Sequence, residues 1–209
     1  MGVVTISRQL GSGGTDVALL VAERLGYRLV NRELVDVVAR RLGVHPSAAG
    51  ELDERALGGL SAFVDSLVRS LAGEPLTVES YRYVAAHALR EIAREGNAVI
   101  LGRAGQVILA RHPNTLHVHI GAPVEVRVER IRKSRGLSKQ EARRVVEESD
   151  ANRRGYVWQV AQADWTDPTL YDLMLNTHRL SIQAAADVVL CAARHRGIMP
   201  VEAVEEPRP

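Results

Sequence analysis

The chain has 209 residues, of which 46% are hydrophobic and 25% are charged, and its formal net charge is +2. These values exclude a fibrous or largely disordered chain and indicate a globular protein that is long enough to bury a core of its own. The balanced charge gives no reason to expect a nucleic-acid partner. The single cysteine, Cys191, excludes an intramolecular disulfide and a metal site built from cysteines.

The N-terminal residues do not form a charged leader followed by an apolar segment. No apolar stretch approaches the roughly 18 residues that a membrane span requires. We therefore expect a cytoplasmic protein that has no membrane partner.

The basic residues are nearly all arginine, since Lys133 and Lys139 are the only lysines. Arginine suits bidentate contacts with phosphate. A general codon preference would give the same bias, so the position of each arginine has to decide its role.

The first predicted element is a strand, Val3 to Ile6, which leads into a glycine turn, residues 11–14. An amphipathic helix follows, and Gly26 stands where a C-terminal cap belongs. A strand, a glycine turn and a helix in this order can place backbone N–H groups against a phosphate, because glycine allows left-handed backbone and close approach. Plain turns between strand and helix have the same composition, so both interpretations stay open.

The glycine turn departs from the P-loop pattern G-x-x-x-x-G-K-[ST]. Arg8 or Gln9 stands where the first glycine would be, and Gly14 stands where the lysine would be. That lysine neutralises charge on the transferred phosphate, so its absence is a chemical deficit. Arg8 could offset the deficit if its side chain reaches into the loop.

A mainly helical block, residues 32–95, separates a short strand at 27–30 from the next strand at 98–101. Its apolar residues recur at helical spacing, which indicates an inserted subdomain or an enlarged helical crossover. The helices within residues 53–95 are also a candidate homodimer contact.

The run Ala98–Leu101 is continuously apolar, which is typical of a central parallel strand, and Arg103 follows it among glycines. Later elements alternate in the same way: strands at 116–120 and 173–175, and helices that begin near Pro123, at the capping box Ser138–Glu141 and at Ser181.

The alternation predicts an α/β fold with a parallel sheet. Ligands of such sheets bind beyond the carboxyl ends of the strands. Three predicted strand ends carry informative residues: the glycine turn, Arg103, and the pair Asn176–Thr177. Since these ends meet at one edge of the sheet, we expect a phosphate site there.

At this point the chain resembles the cytidylate kinase-like branch of the P-loop nucleoside monophosphate kinases. The resemblance covers most of the chain except residues 44–95. No single stretch is specific to the family, but the combination of four stretches in this order is. Four stretches carry it: VVTISRQLGSGGTDVALLVAERLGYRLVNRELV, AVILGRAGQVILARHPNTLHVHIGAPVEVRVERI, SDANRRGYVWQVAQADWTDPTLYDLMLNT and LSIQAAADVV.

The resemblance implies a single kinase-like α/β domain over residues 1–199, built on a P-loop NTPase-like five-stranded parallel sheet with helices on both faces. Within it, residues 32–95 would form a helical monophosphate-binding insert and residues 132–168 a lid, while residues 200–209 would be a frayed tail. The implied activity moves the γ-phosphate of ATP, with Mg²⁺, to a nucleoside monophosphate or another small acceptor.

The resemblance also implies roles for individual residues. The donor phosphates would be wrapped by Gly11, Ser12, Gly13, Gly14, Thr15 and Asp16, with Asn176 near the donor base. Arg32 and Arg103 would hold the acceptor phosphate. The catalytic cations would be Arg103 together with the lid-region arginines Arg127, Arg130, Arg153 and Arg154.

Several departures from the family pattern leave a second interpretation open. The Ser or Thr that binds Mg²⁺ falls at Asp16, with Thr15 or Ser12 as stand-ins, and the arginine that relatives often carry at position 15 is absent. Ala104 replaces the Asp that follows Gly-Arg, which puts selectivity for cytidine in doubt. The P-loop would then be degenerate, and the chain could be a nucleotide-binding or partner-docking protein without turnover.

Overall fold

The computed structural model describes residues 2–31 and 78–198, and for residues 78–84 it describes the backbone. The predicted helical elements between residues 32 and 77, Arg32 and the tail at 200–209 lie outside the described residues. The assignments made for them, and the homodimer contact proposed for the helices at 53–95, stay predictions.

The described elements follow one another in this order: β1 Val3–Arg8, α1 Gly14–Leu25, β2 Arg28–Val30, α2 Val78–Glu95, β3 Ala98–Leu101, α3 Gly105–Ile108, β4 Thr115–Gly121, α4 Val124–Arg135, α5 Lys139–Ala161, β5 Leu173–Asn176 and α6 Ile182–His195. A short 3₁₀ turn, Pro168–Leu170, precedes β5. None of these described helices combines the length and the apolar character needed to cross a membrane.

The strands form one parallel sheet in the order β2-β3-β1-β4-β5. The central strand β1 is buried from Val3 to Ser7, because helices cover both of its faces. The predicted five-stranded parallel sheet is confirmed. β1 runs two residues beyond its predicted end, since Arg8 still pairs in register with Ile120 of β4.

The two faces of the sheet differ in chemistry because successive side chains alternate between them. One face is apolar: Val4 and Ile6 pack there against α1 and α6 through Val17, Val21 and Val189. The opposite face carries polar residues, and α3 lies against it at Thr5, close to Gly105. The polar face is the one that leads towards the site.

Helices α4 and α5 pack against each other and then extend over the carboxyl edge of the sheet. Val128 and Ile131 of α4 contact Ala142 and Val146 of α5. The capping box predicted at Ser138 begins α5 as expected. Further along, α5 packs against α3, so this helix covers the edge where β1 and β3 end.

Candidate functional site

The turn between β1 and α1 is closed by its own serine. The Ser12 amide and hydroxyl donate to the Gln9 carbonyl at 3.2 and 2.8 Å, and the hydroxyl accepts from the Gly14 amide at 3.3 Å. Gly11 and Gly13 have φ values of +77° and +73°, a conformation that suits glycine. The N-cap residue of α1 is Gly13, which provides no side-chain cap. The start of α1 can therefore bind an anion through backbone N–H groups.

Arg130 and Thr177 brace the glycine turn from outside. The Arg130 guanidinium donates to the Gly11 carbonyl at 3.2 Å and to the Thr177 carbonyl at 2.7 Å. The Thr177 hydroxyl donates to the Ser12 carbonyl at 2.6 Å. Residues at the end of β5 and on α4 thereby bind carbonyl oxygens of the turn. The backbone N–H groups at the start of α1 are not used in these contacts.

Arg127 is only 4% exposed and ties three elements together. Its guanidinium forms a bidentate pair with Asp150 of α5, at 3.2 and 2.8 Å. The remaining contacts are to the Ala122 carbonyl at 2.9 Å and the Leu10 carbonyl at 3.3 Å. Arg127 therefore connects α4 and α5 to the glycine turn, and each of its nitrogens donates to a protein oxygen.

A cavity of about 550 Å³ lies at the carboxyl ends of β1 and β3, beneath α5. Four arginines from different elements line it, and we call it the arginine cavity. Among the described residues, one carboxylate, Glu148, faces the same space. The polar and charged residues of the lining are Ser7, Arg8, Arg103, Gln106, Arg135, Glu148, Ser149, Asn152, Arg153 and Tyr156.

Arg103 projects from a strained turn that directly follows β3. Gly102, Arg103 and Ala104 have φ values of +79°, +58° and +55°, three left-handed residues in succession. Non-glycine residues adopt this region at an energetic cost, and such strain clusters at functional sites. The Arg103 guanidinium lies 5.6 Å from the centroid of the Tyr156 ring on α5. The turn and the ring together hold this cation at the arginine cavity.

The adjacent arginines of α5 point to different places. Arg153 faces the arginine cavity, and burial lowers the pKa of its guanidinium, as does Arg127, against an opposing effect of Asp150. Its Nη1 is shielded from solvent and makes no hydrogen bond within the described residues, so this guanidinium is a partly desolvated cation at the cavity wall. Arg154 is exposed and lines a separate groove beside Trp158.

Asp150 is a site residue that the sequence analysis missed, although its signal is present in the sequence. Val146, Asp150, Arg153 and Val157 are spaced 4, 3 and 4 residues apart, which places them on one face of a helix. Val146 and Val157 are both buried. From this spacing one could have predicted that Arg153 faces inward and that Arg154 does not. One could also have predicted that the inward Asp150 pairs with a basic residue of α4.

The polar face of the sheet supports the cavity through a hydrogen-bonded network. The indole of Trp165 donates to the Ser7 hydroxyl at 2.7 Å, and the Tyr171 hydroxyl donates to the Trp165 carbonyl at 2.8 Å. Gln106 donates to the same tyrosine at 3.3 Å. The His119 ring packs between Trp165 and Tyr171, with centroids 5.5 and 5.0 Å away. These side chains fix the segment that joins α5 to β5.

Stability at acid pH is expected to depend on His119, because burial lowers the pKa of its ring from 6.5 to about 4. The unfolded histidine takes up its proton first as pH falls, so stability is lost between about pH 6.5 and about pH 4, by roughly 3 kcal/mol at most. His119→Phe should flatten this part of the curve when the free energy of unfolding is measured in urea from pH 7 to pH 4. A variant with the wild-type slope would contradict the assignment.

The Cytidylate kinase-like family model matches residues 3–179. The chain belongs to this family. The match spans the sheet, the glycine turn and the arginine cavity, so the described site lies within the part of the chain that defines the family.

Curated relatives include two cytidylate kinases. The one from Pyrococcus horikoshii is 28% identical over 207 residues, covering 92% of this chain and 88% of that protein. The one from Methanopyrus kandleri is 35% identical over 116 residues, which is 48% of this chain and 60% of the relative.

Solved structures share the fold at lower identity. An uncharacterised protein from Eubacterium ventriosum aligns with a TM-score of 0.67 at 19% identity, covering 93% of this chain and 99% of the other. A shikimate kinase from Bacteroides thetaiotaomicron aligns with a TM-score of 0.51 at 13% identity, over 92% and 98% of the two chains. The fold is therefore that of the P-loop kinases.

The first turn of α1 contains Thr15 and Asp16, which the resemblance implies as donor-site residues. Whether either side chain binds Mg²⁺ stays a prediction. Both side chains are exposed. The described residues contain no cluster of three His, Cys, Asp or Glu side chains that could hold a metal without a ligand's help.

Asn176 lies at the end of β5, next to a smaller groove of about 280 Å³. Its side-chain oxygen accepts from the His178 amide at 2.9 Å, which turns the chain towards α6. The groove is also lined by Gln9 and His119. The next residue, Thr177, contacts Ser12 of the glycine turn, so Asn176 lies near that turn, and its predicted contact with a donor base stays a prediction.

Proposed function

We propose that this protein is a nucleotide-dependent phosphotransferase that moves the γ-phosphate of ATP to a small phosphate-bearing acceptor of the nucleoside monophosphate type. The observation that carries the proposal is the arginine cavity, where four arginines of the described residues meet at the carboxyl ends of β1 and β3. Phosphoryl transfer needs positioning and positive charge around spreading negative charge, and little covalent chemistry from the protein.

The glycine turn is the proposed donor site. A Cβ atom on Gly11 would lie 2.8 Å from the Arg127 carbonyl oxygen, so the tight course of this turn requires glycine. The backbone N–H groups at the start of α1 would bind the donor phosphates. The exposed oxygens of Thr15 and Asp16 suit Mg²⁺, which prefers oxygen ligands and shares them with substrate phosphates. When bound, Mg²⁺ would neutralise charge on those phosphates.

The arginine cavity is the proposed acceptor site. Arg103 lines it from the turn after β3, and Arg153 lines it from α5. Two guanidinium groups can hold one phosphate through several charge-assisted hydrogen bonds. Glu148 and Asn152 on the same helix would contact the rest of the acceptor. Helix α5 covers the cavity and would limit the access of water, which competes with the acceptor for the phosphoryl group.

A second candidate function is nucleotide binding without turnover. The observation that favours it is Gly14, which leaves position 14 without the lysine of the P-loop pattern. Calorimetric titration with Mg·ATP and then with each nucleoside monophosphate, followed by a product assay on whatever binds, tests both candidates. Binding of a triphosphate and a monophosphate with formation of diphosphate products supports the phosphotransferase. Binding without product formation supports the second candidate, and binding of neither nucleotide contradicts both.

Arg153→Ala should lower the rate of phosphoryl transfer about 100-fold, because the variant removes a partly buried cation at the acceptor. Arg154→Ala is the matched control, since the same residue type on the same helix faces a different groove. Its rate should stay near that of the wild type. Initial rates at saturating ATP would measure both, and equal losses in the two variants would contradict the orientation of α5.

A further inference from the structure

Position 14 lacks a lysine because its space is already filled. A Cβ atom on Gly14 would lie 2.5 Å from the Arg8 Cβ and 3.0 Å from the Ile120 Cβ. The contact with Arg8 is shorter than Cβ atoms tolerate and the contact with Ile120 is tight, and both involve atoms fixed close to the backbone of β1 and β4. A long side chain at position 14 is therefore incompatible with Arg8 in its observed place.

The Arg8 side chain runs from the start of α1 to the turn that carries Arg103. Its Cβ and Cγ lie against Gly14, and its Nη1 would be 2.5 Å from a Cβ atom on Gly102. Gly102, with φ +79°, leaves the room that this guanidinium occupies. Arg8 thus joins the proposed donor loop to the proposed acceptor turn, and it lines the arginine cavity between them.

We infer that Arg8 is the catalytic cation between the donor loop and the acceptor turn and does the work of the absent P-loop lysine. This inference rests on the proposed phosphotransferase function. In the transfer, an oxygen of the acceptor phosphate forms a bond to the γ-phosphorus. The bond from that phosphorus to the bridging β–γ oxygen breaks, and ADP leaves with the electron pair. Arg8 stays protonated throughout and donates N–H groups to the oxygens on which charge grows.

The Arg8 side chain is held in place by its neighbours, which explains why an arginine can replace the P-loop lysine. Its stem is packed against Gly14 and its origin is the central strand, so little ordering is required when the ligand binds. A guanidinium also presents a planar set of donors that can bridge two phosphates, which an ammonium group does less well. The geometry therefore places a preorganised cation where donor and acceptor phosphates would meet.

The test compares Arg8→Met, Arg8→Lys and the control Arg24→Met. Methionine keeps an unbranched apolar stem beside Gly14, so the fold should survive, and a thermal melt verifies it. Arg24 lies on α1 and pairs with Asp187 on the surface, away from the cavity. Arg8→Met should lower kcat at least about 100-fold, Arg8→Lys should recover part of that loss, and Arg24→Met should match the wild type. A folded Arg8→Met variant with wild-type kcat would overturn the inference.

A second readout separates this inference from the proposed function. Inorganic tripolyphosphate, titrated calorimetrically, reports on the phosphate contacts without requiring turnover. The wild type and Arg24→Met should bind it equally, and Arg8→Met should bind it at least about tenfold more weakly. A wild type that binds tripolyphosphate and transfers no phosphate contradicts the proposed function alone. Equal affinities for wild type and Arg8→Met overturn the role of Arg8, whatever the activity.

Discussion

Asp150→Ala should lower the free energy of unfolding by about 3 kcal/mol or more, the usual cost of leaving one partner of a buried ion pair alone. The variant leaves the Arg127 guanidinium, which is 4% exposed, without the carboxylate that accepts two of its hydrogen bonds. Two backbone carbonyls remain as acceptors and do not neutralise the charge. Urea denaturation at pH 7 measures the loss.

The matched control lies between the same two helices. Arg143 of α5 pairs with Glu125 of α4 on the exposed side of the helix pair. Solvent screens this contact, so Glu125→Ala should change the unfolding midpoint very little. If Asp150→Ala lowered the free energy of unfolding as little as Glu125→Ala does, the ion pair of Arg127 and Asp150 would not be what holds α5 against the glycine turn.

Arg103→Ala should lower the rate of phosphoryl transfer by about 10²- to 10³-fold, in the range of lost oxyanion donors and arginine fingers. The reason is its position: the left-handed turn after β3 and the Tyr156 ring hold its charge at the arginine cavity. Loss of this cation should reduce kcat and weaken acceptor binding together, because the same contact serves both states. Steady-state kinetics with varied acceptor would measure both.

Two further variants sharpen that prediction. Arg103→Lys keeps the charge and loses the planar fork, so its rate should fall between those of alanine and arginine. Tyr156→Phe keeps the ring that lies beside the guanidinium, so its rate should stay near the wild type. An Arg103→Ala variant that keeps full activity would show that the acceptor phosphate binds elsewhere.

The sheet and its edge are predictable from the sequence because their signals are local. The apolar runs of β1 and β3 mark strands buried on both faces, and parallel strands have to end at one edge. These two facts are enough to predict that the glycine turn and Arg103 lie at the same edge of the sheet. The capping box at Ser138 is predictable for the same reason, since it depends on only four neighbouring residues.

The roles of the arginines are less predictable because they depend on how helices pack. The family resemblance implies that Arg127 and Arg130 act as catalytic cations. In the structure Arg127 pairs with Asp150, and Arg130 donates to Gly11 and Thr177. Their place in a family pattern does not reveal these partners, since the partners lie far away in sequence. Whether the two arginines also act on the reaction stays a prediction.

The role of Arg8 is hard to predict from the sequence for a different reason. The sequence shows that position 14 lacks a lysine, and it cannot show whether another cation takes its place. That answer depends on the course of one side chain past two glycines, Gly14 and Gly102, which are far apart in the chain. Close approach of this kind becomes visible only when both turns are placed on one sheet.

Transfer of radioactive phosphate from γ-labelled ATP tests the central claim most directly. The folded protein is incubated with Mg²⁺, labelled ATP and each nucleoside monophosphate in turn, and the products are separated by ion exchange. The account predicts labelled nucleoside diphosphate with at least one acceptor, dependent on Mg²⁺ and lost in Arg103→Ala. Label that stays in ATP with every acceptor, or appears only as free phosphate, would contradict a phosphotransferase built on the arginine cavity.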